Sequence, residues 1–109
     1  MDGNDTAILG SGTKGFTAAA VLRLVDQGHV KLEDAAYLHI DEPMKRMWNT
    51  SMVEIFGARA ANVTVHDLIY MRSGIADFET LLGDFDKKYL FDTPNQTHSP
   101  LETFQFVGN

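Results

Sequence analysis

Gly10-Ser11-Gly12-Thr13-Lys14-Gly15-Phe16-Thr17-Ala18-Ala19-Ala20-Val21-Leu22 opens the most apolar stretch of the chain, and its reading decides how the rest is read. With Arg23-Leu24-Val25-Asp26-Gln27 behind it, the pattern predicts a helix capped by Ser11 and running to about Gln27. Gly28 suits the left-handed position that ends such a helix. Phe16, Ala18, Ala19, Ala20, Val21, Leu22, Leu24 and Val25 leave almost no polar face. A helix apolar nearly all round is a buried one. It needs cover on every side, and no other stretch supplies a sheet to lie against it. The chain therefore reads as part of a domain, stopping at Asn109 just as its last helix would be complete.

Outward from this helix the pattern stays mainly helical. The first ten residues are mostly polar and glycine-containing, with a short apolar pair at Ile8-Leu9, and read as a loop or the tail of a strand. His29 to Leu38 reads as an irregular connection with short extended pieces. Asp41 and Pro43 offer a cap and a first-turn proline for a helix over about Met44 to Trp48. A short helix over Ser51 to Phe56 is stopped by Gly57. Thr64-Val65-His66-Asp67 has the form of a capping box, with its helix running to about Arg72 and closed by Gly74. Asp92 to His98 reads as a polar loop, and Ser99-Pro100-Leu101-Glu102 opens a last helix towards Val107.

Composition bounds the function. At 109 residues, 44% apolar and 22% charged, the chain is the size and kind of one small globular domain. A net charge of −6 argues against nucleic acid, because phosphate binding needs a basic face. The nine Lys and Arg are scattered, which argues equally against an anionic membrane surface. The stretch Ala18 to Val25 is broken by Arg23 and too short to span a bilayer. Met1 is not followed by the basic and then apolar segment of a secretory signal. With no cysteine there is no disulfide, thiolate metal site or cysteine nucleophile. Asn4-Asp5-Thr6, Asn49-Thr50-Ser51, Asn62-Val63-Thr64 and Asn95-Gln96-Thr97 have the N-glycosylation acceptor pattern. Coincidence and passage through a secretory pathway both stay open.

The chemistry-bearing residues are Ser11 and Lys14. A Ser-x-x-Lys pair alone is weak, since a capping serine followed by a solvated lysine explains it as well. Its context is more specific. Ser11 stands at the amino end of a helix read as buried, where unpaired N–H groups and the dipole favour negative charge. An oxyanion forming there is stabilised. Lys14, three residues on, shares its face. Beside a buried helix its ammonium would be partly desolvated, the condition under which a lysine serves as a base.

Residues Gly10 to Leu22 resemble the nucleophile helix of the β-lactamase-related serine hydrolases, which include class C β-lactamases, penicillin-binding proteins, D-alanyl-D-alanine carboxypeptidases and related esterases. Leu24 to Asp34 resembles that family's helix exit and "G-x-L-x-L-D-D" connection. Val63-Thr64-Val65-His66-Asp67-Leu68-Ile69 and Ser73-Gly74-Ile75 resemble its "ITIRHLLxHTSGI" segment, and the matched stretches cover about half the chain, in order. The resemblance implies an α/β, β-lactamase/transpeptidase-like fold, of which this chain supplies mostly the helical part and lacks most of the sheet. It implies a single incomplete domain over 1–109, a covalent acyl-enzyme on Ser11, and Lys14 as proton acceptor, with no metal or cofactor required. The substrate would be a β-lactam, a D-amino-acid peptide or an ester, and the missing remainder of the domain is a further candidate partner.

Departures from the family pattern bear on activity. Met71-Arg72 stands where the family has His-Thr, and the stretch from Ile40 to Ala61 is longer than the usual connection, as an inserted surface segment would be. Tyr37, Tyr70 and Tyr89 are followed at two positions by His39, Arg72 and Phe91, so none makes the family's Tyr-x-Asn. Arg72-Ser73-Gly74 mimics its Lys/His-Thr/Ser-Gly strand but falls at the Ser-Gly-Ile turn and is rejected. The isolated segment is therefore expected to be inactive or nearly so. A non-catalytic helical module that binds a partner, or a truncated gene model, remains the alternative.

Other candidates read as structural. His29, His39, His66 and His98 match no common ligand spacing. Asp84, Asp86 and Asp92 near Lys87 and Lys88 lack the Gly and Glu positions of a calcium loop. Met44, Met47, Met52 and Trp48 read as packing rather than a cofactor pocket.

Overall fold

A computed structural model describes residues 2–76, 92, 95–97 and 99–108 of the chain. All regular elements among them are helical, and no strand occurs. The described chain divides into two units, Met1–Leu32 and Glu33–Asn109.

The first unit is a capped turn leading to one helix. The N–H of Asp2 donates to Asp5 Oδ2 at 2.7 Å, and that of Asn4 to Asp2 Oδ1 at 2.8 Å. A single 3-10 turn, Gly10–Gly12, precedes α1, Thr13–Asp26. The helix thus begins one residue later than expected, with Gly12 rather than Ser11 as its N-cap and no side-chain cap. Its exit is as the sequence predicts. Gly28 takes φ +76°, its N–H bonds to Val25 C=O, and the N–H of His29 reaches Leu24 C=O, the paired bonds of a Schellman closure. No residue of α1 is buried, and Phe16 is 69% exposed. The helix that the sequence marks for an interior finds no cover among these residues.

The second unit holds the core. Two chain segments are clasped: Ala36 N–H donates to Val63 C=O at 2.8 Å, and Val65 N–H to Asp34 C=O at 3.0 Å. Ala35 and Thr64 between them form an isolated antiparallel bridge. From this clasp start α2, Tyr37–Trp48, and α4, Val65–Ile69. Between them lie α3, Met52–Phe56, and a 3-10 segment, Ala58–Asn62. The last helix, α5, is Pro100–Gly108. Ala36, Met44, Met52, Ala60 and Val63 form the buried cluster, with Tyr37, Ile40, Trp48, Ile55, Phe56, Leu68 and Ile75 packed on it. On α5, Phe104 stands edge-on to Trp48 at 5.9 Å and to Phe56 at 6.0 Å, near the geometry aromatic pairs favour.

Several expectations are corrected here. The helix read as starting near Asp41 begins at Tyr37, so Pro43 lies in its interior. Proline there leaves the carbonyl of His39, four residues back, without its helical donor. The apolar stripe Tyr37, Ile40, Met44, Trp48 wins, because all four meet the core. Asp41 is no cap for α2; its Oδ1 accepts from the N–H of Met52 at 2.9 Å, across the turn into α3. Met47 is 61% exposed and not part of the packing. Residues 40–61 contribute Met44, Met52 and Ala60 to the core, so this stretch is not confined to the surface. The helix opened by Thr64 ends at Ile69, not Arg72, and Met71 takes the left-handed conformation at φ +57° before Gly74 does at φ +72°.

The caps follow the sequence closely. Ser51 Oγ accepts from Glu54 N–H at 3.3 Å. Ser99 and Glu102 exchange backbone-to-side-chain bonds of 2.8 and 3.3 Å. Thr64 and Asp67 form a full capping box: the N–H and hydroxyl of Thr64 donate to Asp67 Oδ2 at 3.1 and 2.8 Å, and the N–H of Asp67 returns to Thr64 Oγ1 at 3.1 Å. The Thr64 N–H, then its hydroxyl, hold the Asp67 carboxyl below its ordinary value, with smaller help from His66 and Arg72. A carboxyl whose folded value is depressed adds stability that is complete above the unfolded value. That stability is lost as pH falls through the folded value, so it fades below about pH 4. In thermal melts, Asp67→Asn is therefore less stable than the parent at neutral pH, and the gap closes towards pH 2. A gap that persists unchanged in acid contradicts this account.

Candidate active site

Gly10, at φ +53°, turns the backbone into the 3-10 turn that carries Ser11. One turn later α1 presents Lys14, and the two side chains meet: Lys14 Nζ lies 2.9 Å from Ser11 Oγ, donating to it. The expected pair is therefore formed, three residues apart on one face. The way it is held differs from expectation. Ser11 Oγ is engaged by the lysine instead of capping a backbone amide.

The supply of free amides at this end is smaller than a bare helix start suggests. Gly12 N–H donates to Leu9 C=O at 3.1 Å, and Thr13 N–H to the carbonyls of Gly10 and Ser11. Ser11 and Lys14 are both exposed, and so are Leu9, Gly10 and Phe16 beside them. The cover that would desolvate the ammonium does not come from these residues. Among the described residues the second unit has hollows of its own, one of them near 360 Å³ and lined by Ile40, Met44, Met52, Phe56, Leu68 and Phe104 among others.

The polar candidates of the second unit have partners of their own. His39 Nε2 bonds to Asp34 Oδ2 at 2.8 Å. His66 stacks on Tyr70 with ring centroids 4.4 Å apart, and the Arg72 guanidinium sits 5.7 Å from the same ring. Among the described residues no group of three or more metal-ligating side chains converges. Ser73, in the rejected Arg72-Ser73-Gly74 triplet, accepts from Ile75 N–H at 3.2 Å within a turn. Tyr37 packs on the core. His98, Asp84, Asp86, Lys87, Lys88 and Tyr89 lie outside the described residues, and Asp92 is exposed.

A seryl oxygen in contact with a lysine amine at a helix start is the arrangement nucleophilic serine catalysis uses. The family model described as Beta-lactamase matches residues 1–103, nearly the whole chain. The chain belongs to the β-lactamase family. No curated protein and no solved structure matches it. Family membership brings a serine-hydrolase lineage and suits small acyl substrates. Among the described residues, no helix is long and apolar enough to cross a membrane. What the β-lactamase family match adds to the geometry is range, since it takes in both units, whereas the Ser11–Lys14 contact lies wholly within the first.

Proposed function

We propose that in a complete domain Ser11 is the nucleophile and Lys14 the proton acceptor of a serine hydrolase acting through an acyl-enzyme. The 2.9 Å contact between their side chains supports this reading. In the structure the Lys14 ammonium donates to Oγ. For attack the roles reverse: the neutral amine accepts the hydroxyl proton along the same line while Oγ bonds to the substrate carbonyl carbon. With the amides of Gly12 and Thr13 already engaged, stabilising the oxyanion falls to the amide of Ser11 and to a donor from a sheet. Collapse expels the leaving group, which takes the proton back from Lys14, and water then cleaves the ester on Ser11. The substrate class is a β-lactam, a D-amino-acid peptide or a simple ester.

The finer fold belongs to the same proposal. A sheet of the family's α/β, β-lactamase/transpeptidase-like arrangement, packed on α1, would bury Phe16, Leu22 and Leu24, which are 69%, 43% and 42% exposed here. It would also desolvate Lys14. The described residues leave α1 without that cover and the sequence holds no Tyr-x-Asn motif, so on this reading residues 1–109 alone turn over little or nothing. The same exposed side chains favour a second reading, a helical module that binds a partner and performs no chemistry. The two separate on one experiment. A fluorescent penicillin or a fluorophosphonate, incubated with the natural full-length protein and followed by peptide mapping, places its adduct on Ser11. An adduct confined to another serine, or partner binding with no adduct at all, refutes the catalytic assignment.

A further inference from the structure

Every asparagine of this chain that has a residue two positions after it finds a hydroxyl there. Asn4, Asn49, Asn62 and Asn95 are followed at that spacing by Thr6, Ser51, Thr64 and Thr97, with no proline between; the fifth, Asn109, is the last residue. Serine and threonine make up 13 of the 109 residues. A given asparagine therefore meets a hydroxyl at that spacing by chance about one time in eight, and four of four do so about once in 5,000, far beyond the usual accident of so short a pattern.

Their places in the fold agree. Asn4 lies in the turn before the first helix, and Asn49 is the left-handed residue, φ 52°, that closes α2. Asn62 ends the 3-10 segment Ala58–Asn62, and Asn95 lies in a turn before α5. All four are exposed at junctions, and none is inside an α-helix. Exposure by itself says little, because asparagine is usually at the surface. Exposure at every site, joined to the hydroxyl at every site, says more.

We infer that these four asparagines are N-glycan acceptors and that the chain is a glycoprotein of a eukaryotic secretory compartment. In the modification the side-chain amide nitrogen bonds to the anomeric carbon of a lipid-linked oligosaccharide. The carbon–oxygen bond to the lipid diphosphate breaks, that diphosphate leaves, and the amide gives up one proton. The transferase reads the hydroxyl two residues on, and here the fold sets an order. The Thr64 hydroxyl is locked on Asp67, and the buried Ser51 oxygen on Glu54 N–H. Asn62 and Asn49 thus accept a glycan before the second unit folds, whereas Thr6 and Thr97 are exposed and leave Asn4 and Asn95 competent afterwards.

The test uses the protein purified from the organism that makes it. Digestion with a glycan-removing amidase in heavy-oxygen water converts each occupied asparagine to a heavy aspartate, read by peptide mass spectrometry against a digest without the enzyme. Enzyme-dependent heavy aspartate at any of positions 4, 49, 62 and 95 is the expected result. Peptides spanning all four positions that carry unmodified asparagine overturn the inference.

Discussion

Replacing Ser11 by alanine in the natural full-length protein lowers kcat/KM towards a chromogenic β-lactam or ester by roughly a thousandfold or more, the usual consequence of removing a nucleophile. Lys14→Met lowers it comparably, and the double variant is little worse than either single one. Residues that act as one unit are not additive, and here the unit is a single 2.9 Å contact. Lys14→Arg does not rescue, because a guanidinium keeps its proton and cannot accept another. Kinetics on the four proteins check this. A loss below tenfold in Ser11→Ala, or full activity in Lys14→Arg, refutes the roles given to the pair. Residues 1–109 alone supply the complementary control. Turnover by that segment, lost on Ser11→Ala, would show that α1 needs no cover to work.

Met52→Ala unfolds the second unit more readily than any surface change. Met52 is 3% exposed, sits in the core cluster beside Met44, and its N–H is tied to Asp41. Truncation removes buried methylenes and leaves a cavity, about 2–5 kcal/mol together. A domain of this size has only about 5–15 kcal/mol to lose, so the thermal midpoint falls by roughly 10 °C or more. Met52→Leu, which nearly keeps the volume, stays within about 1.5 kcal/mol of the parent. Denaturant unfolding followed by circular dichroism distinguishes them. Equal stability of the alanine and leucine variants contradicts the packing described.

The sequence is legible here where a local rule operates. Thr64 with Asp67, Ser99 with Glu102 and Gly28 after α1 act within one turn, and each is found as read; Ser51, read as the first residue of its helix, is found as the cap on Glu54. The Ser11–Lys14 contact is of the same kind, since three residues of helix are enough to bring the groups together. Tertiary structure overrides the rest. Pro43 looks like a helix start, but the stripe from Tyr37 to Trp48 carries α2 through it because the core takes that face. Asp41 looks like a cap and serves the next helix instead. Ser11 looks like an N-cap, yet its oxygen answers a side chain. The bridge between Ala35 and Thr64 joins segments far apart in sequence, and no periodicity announces it.

That bridge also bears on how the unit comes to be folded. Residues 36–63 form the loop it closes, and a closure of that length costs about 3 kcal/mol of chain entropy before any contact within it repays the loss. Its two flanking hydrogen bonds return less than that alone. The clasp and the methionine-lined core must therefore form together, as one nucleus, with α2 and α3 condensing as the ends meet. The step is a non-local search in an otherwise helical chain, and it makes the second unit the slower of the two to fold.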